Sequence, residues 1–407
     1  MAAIGSKAVS AIGSGLKSLT AGAISAGANF ENAMSSVAAI SGATGSDFDR
    51  LSEKAKQLGK STQYTASETA SAMEYMAMAG WKTEDMLNGI EGVMDLAAAS
   101  GEDLAGVSDI VTDAMTAFGL SADGTTKIIK DGFTKEVSNA SHFADVLAAA
   151  SANSNTNVAM LGESFKYAAP VAGSLGYSVE DTAIALGLMA SSGLKSSMAG
   201  SSLRTILTNL AKPTDDISDA MDYLGISLQN GDGSMKSLMD IVTDLRGAFG
   251  QCKMPMDQFQ ENLAKLDEKY ANGELTEKKY NEALADLTEK AYGAEGALKA
   301  KYAATLAGKE GMSGLLSIVS AAPEDFDKLT NAIYNSDGAA KEMAEIKMDN
   351  LQHDVVKLQS AMEGLGITAF NQVGGKMRGL VGIATETVGK IDESLPAEKG
   401  SKRLSIK

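Results

Sequence analysis

Apolar residues along this chain return at intervals of three and four rather than two. Met86, Ile90, Val93 and Leu96/Ala97 make one stripe, and Leu104, Val107, Ile110/Val111 and Ala114 make the next. That spacing puts each set on one face of a helix and predicts core faces packed on neighbouring helices. Glycines fall where the helices should stop, at Gly59, Gly80, Gly101, Gly119, Gly176 and Gly193. Helix starts are marked as clearly. Ser46-Asp47-Phe48-Asp49, Thr65-Ala66-Ser67-Glu68 and Ser178 with Asp181 pair a hydroxyl with an acid three residues on, and Thr83 is followed by Glu84 and Asp85. Residues 31–212 therefore read as about seven or eight helices, many of about 10 to 18 residues.

Beyond residue 250 the pattern changes. Residues 251–310 are densely charged in both signs, and Phe259, Leu263, Leu266 and Tyr270 are spaced four, three, four. After Asn272-Gly273 the stripe returns as Tyr280, Leu284, Leu287 and Ala291, which predicts a helical hairpin with coiled-coil spacing. It reads either as an arm projecting from the core or as a segment that pairs with another copy. Pro323 with Glu324 and Asp325 starts a further helix. Residues 339–365 read as one long helix carrying Met343, Ile346, Asn350/Leu351, Leu358 and Met362/Leu365 on a common side. Residues 374–391 are Gly-rich and apolar, and the last dozen residues should fray. Strand signals are scarce. The one plausible place is Leu224-Gly225-Ile226-Ser227-Leu228 before Gln229-Asn230-Gly231-Asp232-Gly233, which reads as a short hairpin or a helix-breaking loop.

The fold class that follows is all-α: many short helices in a compact core, plus a charged helical hairpin and longer C-terminal helices. The expected organisation is an N-terminal Ala/Gly-rich helix (1–30), a helical core domain (31–250), the charged hairpin (251–310), a C-terminal helical region (311–395) and a flexible tail (396–407). Composition sharpens this picture. Only 5% of the residues are aromatic, so small side chains must let helices approach closely. Five prolines permit long helices, while 42 glycines oppose one continuous rod. The formal net charge of −16 argues against direct binding to a nucleic-acid backbone. The single cysteine, Cys252, excludes an internal disulfide framework and any Cys-based zinc site. No run approaches 18 uninterrupted apolar residues, so no spanning helix is predicted. Residues 1–30 form a weakly amphipathic pattern that also suits a membrane surface.

Candidate chemistry is sparse. His142 and His353 have no ligand-spaced neighbours and read as solvated or capped helix histidines. Asn230, Asp232 and Ser234 superficially resemble a calcium loop, but Met235 stands where Gly is needed and Ile241 where a bidentate Glu is needed. Gly374-Gly375-Lys376-Met377 fails as a phosphate loop, since Phe370 and Met377 occupy required positions. Arg204, in a small and apolar context, reads as a buried structural ion pair or a binding residue. Trp81 reads as a turn anchor or a partner contact. No catalytic, cofactor-binding or metal-ligating residue is assigned, and the chain reads as no enzyme.

Two stretches share a plan. Gly80-Trp81 with Glu84-Asp85 is echoed by Gly176-Tyr177 with Glu180-Asp181, 96 residues on, and Ser100-Gly101 by Ser192-Gly193, 92 on. Leu-Ala-Ala-Ala-Ser at 96–100 recurs at 147–151, so the chain carries either a degenerate duplication or low-complexity coincidence. Residues from Phe30 to about Gly250 resemble the core region of phage tail tape measure proteins. The resemblance lies in Phe30-Glu31-Asn32-Ala33-Met34, Leu58-Gly59-Lys60-Ser61-Thr62, Ala79-Gly80-Trp81, Asp95-Leu96-Ala97-Ala98 and Met115-Thr116-Ala117-Phe118-Gly119. It continues in Ala199-Gly200-Ser201-Ser202-Leu203-Arg204 and Leu224-Gly225-Ile226, and later in Asp337-Gly338-Ala339-Ala340-Lys341-Glu342-Met343.

The resemblance implies a structural protein of the virion tail. Such proteins occupy the tail-tube lumen, set tail length during assembly in the host cytoplasm and help deliver DNA. The implied partners are tail-tube subunits, tail-tip proteins and tail assembly chaperones, with self-association, no direct nucleic-acid contact, and host membrane only during delivery. A ruler works through extended length, and 407 helical residues give at most about 600 Å. Family members are often much longer, so the chain reads as a short, truncated or split member. The rival reading is a membrane-active helical protein, either pore-forming or a secreted effector, motivated by residues 1–30 and 374–391.

Overall fold

The computed structural model describes residues 2–130, 133–250, 256–288 and 295–371. Its elements are α1 (Ala2–Ser41), α2 (Ser46–Ser61), α3 (Ala66–Met78), α4 (Thr83–Ser100), α5 (Leu104–Ala117), β1 (Thr125–Lys130), β2 (Phe133–Ser138), α6 (Asn139–Asn153), α7 (Val158–Ser174), α8 (Val179–Ser191), α9 (Ser196–Ala211), α10 (Asp215–Leu224), α11 (Leu238–Gly250), α12 (Met256–Ala271), α13 (Glu277–Thr288), α14 (Glu295–Val319), α15 (Pro323–Tyr334) and α16 (Ala339–Met348). A further helix, α17, covers residues 351–371. The architecture is all-α, with one two-stranded antiparallel ribbon among the described residues. By contacts the chain forms two units, residues 1–74 with 351–407, and residues 75–350.

In the first unit, α1, α2, the start of α3 and α17 bury Phe30, Met34, Val37, Leu51, Leu58, Met73 and Ile367. Small residues set the spacing. A methyl group on Gly59 would lie 2.5 Å from the Ala66 nitrogen, so Gly59 is a close-approach residue inside α2, which runs on to Ser61. The helix stop expected at Gly59 is thus displaced by two residues. The predicted capping box at the start of α3 is present: Thr65 N–H donates to Glu68 Oε2 (2.8 Å), and Glu68 N–H donates to Thr65 Oγ1 (3.1 Å). Ser46, in contrast, is the first helical residue of α2, and Gly45 takes the cap position without a side-chain bond.

The second unit is built around α6 and α8. Both are buried nearly all round, as expected of central helices. α6 packs on α4, α8, α15 and α16, and α9 packs on α7 and α14. Phe118, Phe143 and Phe165 form one aromatic cluster with ring centroids 5.5 to 6.5 Å apart. Elsewhere the contacts are small. A methyl on Gly92 of α4 would meet Ser141 Cα of α6 at 2.7 Å. This is the close helix approach that a sequence poor in aromatics requires.

The two Gly-aromatic pairs are matching turns. Gly80 donates to the Ala77 carbonyl (2.9 Å) and Trp81 to Met76 (3.0 Å). Gly176 donates to Gly173 (3.0 Å) and Tyr177 to Ala172 (3.0 Å). Each glycine takes positive φ, 87° and 77°, so both helices end in a Schellman motif. The residue after the glycine then folds back onto the helix it has just left, which is why Trp81 and Tyr177 are buried. Gly119-Leu120, Gly193-Leu194 and Gly225-Ile226 repeat the same bond pattern.

Three expectations need correction. First, residues 125–138, inside the stretch that reads as helical, form a β-ribbon, in which β1 and β2 pair from Thr125↔Ser138 to Lys130↔Phe133. Its sequence signal is Asp131-Gly132, a two-residue hairpin pair between runs of β-formers. The anticipated strand site instead makes a single bridge, Gln229↔Met235. Second, residues 339–365 are not one helix. Asp349 and Asn350 interrupt it, and Asn350 Nδ2 donates to the Lys347 carbonyl (2.9 Å). A short amide side chain that competes for helical carbonyls explains the stop. Third, the stretch 251–310 is more than the charged hairpin α12–α13: its later part belongs to α14, which packs along α9 with Ala303, Leu306 and Ala307 buried, while Ala291 of the expected stripe lies outside the described residues. Within that hairpin Tyr270 and Tyr280 meet at 4.7 Å, and the Tyr280 hydroxyl donates to Asp267 (2.6 Å).

Candidate functional site

The richest polar constellation lies inside the second unit. α6 carries His142 and Asp145, three residues apart and both only 8% exposed. α8 begins with Glu180 and Asp181, placed there by Ser178, whose hydroxyl accepts the Asp181 N–H (3.0 Å). His142 Nε2 lies 2.8 Å from Glu180 Oε1. Asp145 accepts N–H bonds from Gly338 and Ala340, both 2.9 Å, and so caps α16 from another helix. Asp181 accepts the Tyr334 hydroxyl at the end of α15 (2.5 Å) and the Met239 N–H near the start of α11 (3.1 Å). Buried acids of two core helices thereby hold three later helices, α11, α15 and α16.

The electrostatics follow from burial. Burial raises the Glu180 carboxyl, but hydrogen bonds from His142, from its own backbone and from Ser178, together with the attraction of His142, outweigh it and leave Glu180 below the usual range. Burial also raises Asp145, and there the bonds from Gly338 and Ala340 offset only part of it. The Tyr334 hydroxyl is pushed up by burial and by its bond to Asp181.

Beside this constellation α4, α6, the β-ribbon and the start of α16 enclose an open cleft of about 560 Å³. Glu91, Asp95, Asp123, Lys135, Asp337 and Lys341 line it. Lys135 of β2 pairs with Asp337 at 3.3 Å. Asn139 pins the ribbon, accepting from Thr126 Oγ1 (2.8 Å) and donating to the Ser121 carbonyl (2.9 Å). Burial lifts Asp95 to about 6 despite Lys341. Among the described residues no group of three or more His, Cys, Asp or Glu could hold a metal ion, and no helix is long and apolar enough to cross a membrane. What the constellation visibly does is lock protein segments together.

The residues singled out from sequence are placed as follows. Trp81 is 3% exposed, and a methyl on Gly89 would meet its ring at 2.5 Å, so it packs as a turn anchor. Arg204 is not a buried ion pair: it is exposed, with its guanidinium 5.9 Å from the Tyr167 ring centroid. His142 is not solvated, because the turn that starts α8 brings Glu180 onto it; no one-dimensional spacing announces that contact. His353 is half-buried on α17. Asp232 accepts from Ser234 N–H (2.9 Å) and Oγ (2.6 Å), which makes the rejected calcium loop a tight turn. Cys252 and Gly374–Met377 lie outside the described residues. Asp145 and Asp181 carry no local sequence signal that sets them apart from the other acids of the chain.

Comparison with known proteins gives a consistent picture. Residues 52–287 match the family described as phage-related minor tail protein. The chain is 34% identical over 373 residues to the tape measure protein of Pneumococcus phage Dp-1, covering 92% of this chain and 28% of that protein. It is 26% identical over 343 residues to the probable tape measure protein of Escherichia phage P2, covering 84% of this chain and 35% of that one. The chain thus spans about a third of the length of these curated relatives. No solved structure matches it.

Proposed function

This chain belongs to the phage-related minor tail protein family, and from that membership we propose that it acts as the helical core of a tail tape measure protein, inside the tail tube. It takes part in tail assembly and in setting tail length, with a contribution to DNA delivery. Its partners are tail-tube subunits, tail-tip proteins and assembly chaperones, and its role is structural rather than enzymatic. The observation that carries the reading is the match to a tape measure protein along nearly the whole chain.

The architecture favours a division of labour. Length is gained at about 1.5 Å per residue only where a helix stays extended. α1, with 40 residues, reaches about 60 Å. Residues 75–350 instead fold back at each Schellman turn, so they advance far less per residue. We assign this bundle to anchoring, at a tail end or on a chaperone, and the measuring of length to extended segments.

Protease protection of purified tails tests the location. The chain should survive in intact tails and be digested once the tube is opened. Digestion at equal rates in both would remove the lumenal assignment.

A further inference from the structure

Within Ala199-Gly200-Ser201-Ser202-Leu203-Arg204 the fold uses the small and apolar residues and leaves the arginine without an internal task. Ala199 and Leu203 are buried in the core. A methyl on Gly200 would run into the Ser164 carbonyl of α7, and Ser202 Oγ donates to the Glu310 carbonyl of α14 (2.8 Å). These residues seat α9 on its two neighbours. Arg204 faces outward and is exposed.

The other described arginines have partners inside the fold. Arg246 donates to the Ile318 and Ala321 carbonyls (2.7 and 2.8 Å), and Arg50 lies 4.0 Å from Asp47. Arg204 has neither an ion pair nor a side-chain hydrogen bond among the described residues. Its guanidinium stands over the Tyr167 ring, 5.9 Å from the centroid. That contact steadies the planar fork and leaves its N–H donors free for a carboxylate. The cation beside Tyr167 is already engaged: Lys166 faces Asp109 and Asp113 of α5 (4.0 and 3.7 Å).

The charge pattern around it says what fits. Residues 182–214 hold no Asp or Glu, where the chain's composition would place about four. They hold three cations, Arg204 and the two cap residues of α9, Lys195 and Lys212. α9 is thus a positive strip in a chain of formal charge −16. The rest of its outward face is Met198, 60% exposed, with Ser201, Thr205 and Thr208. The two threonine hydroxyls are turned back onto the Ser201 and Arg204 carbonyls (2.9 and 2.8 Å), so none of them screens the arginine. Exposed Met and Arg beside a Tyr ring, with acids depleted, is the composition of a contact surface. We propose that the outward face of α9, centred on Arg204, docks an acidic segment of another protein. The Arg204 fork takes one of its carboxylates, and Met198 supplies apolar contact beside it. Nucleic-acid phosphates are the poorer match, because the net charge of the chain repels a polyanion. The inference rests on this face and does not depend on the tail assignment.

Fluorescence anisotropy on the full chain tests this. The probe is a labelled helical peptide of Ala, Leu and Glu, matched to the 16 residues of α9. A version with Gln in place of Glu and a single-stranded oligonucleotide serve as rivals. The expected result is saturable binding of the Glu peptide, weaker at high salt, and none of the other two. Arg204→Glu should weaken it about tenfold or more. Arg204→Lys, which keeps the charge and loses the fork, should fall between. Thr208→Glu, one turn along the same face, should weaken binding with Arg204 left in place. Both sites are exposed, so melting followed by circular dichroism should match the parent. No binding by the parent, equal binding of the Glu and Gln peptides, an Arg204→Glu chain that binds like the parent, or tighter binding of the oligonucleotide overturns the proposal.

Discussion

Replacing Asp145 with alanine should loosen α16 selectively. The Asp145 carboxylate accepts from Gly338 and Ala340 at 2.9 Å each. Ala340 is 1% exposed, so its N–H would be left without water, at a cost of about 2 kcal/mol. Gly338 lines the open cleft, where water can replace the lost bond, so its share is about 1 kcal/mol. Against these stands relief from burying the carboxylate, which is large enough to raise its pKa in spite of both bonds. Crediting about 1 kcal/mol for that leaves a net loss of about 2 kcal/mol. The loss falls first on the local opening of α16, whose N-terminus is uncapped. Amide hydrogen exchange followed by mass spectrometry should show residues 342–348 exchanging about 30-fold faster. Peptides from α7, which does not touch the cap, should change less. If exchange in α16 stays within twofold of the parent, Asp145 is not the lock that holds this helix, and the reasoning fails.

Three further outcomes follow. Asp95, raised to about 6 from an ordinary 3.8, keeps its proton longer in the folded state, so its own contribution to stability should be full below about pH 4 and be lost as pH rises through 6. Linkage gives at most about 3 kcal/mol, or about 1 kcal/mol after solvent screening, and urea titrations of Asp95→Asn should show that slope flattened. Gly176→Ala should cost about 1 to 2 kcal/mol in the same assay, because φ is 77° there and a Cβ clashes with its own backbone; an unchanged midpoint would contradict the turn assignment. Trp81→Ala should cost about 3 to 5 kcal/mol by cavity formation, whereas a loss under 1 kcal/mol would argue for a surface role instead.

Local rules were legible where the chain states them locally. The apolar stripes of α4 and α5, the Thr65/Glu68 and Ser178 caps and the glycine stops from Gly80 to Gly193 all depend on residues a few positions apart. The ribbon at 125–138 was equally local, in Asp131-Gly132, but its short strands sit inside a helical sequence that hides them. The constellation was a different matter. Asp145 meets residues almost 200 positions away, and Asp181 meets Tyr334 across 153. Before folding, such acids look like any others in an acidic chain. Arg204 shows the opposite failure: apolar neighbours in sequence suggested burial, but helical rotation turned that one position outward.

The account stands or falls on a place in tail assembly. Electron microscopy of particles from the phage whose gene for this chain has been deleted is the most direct measurement. The account predicts tails that are absent or of aberrant length, restored when the gene is supplied in trans. Tails of normal length and number without it would contradict the account.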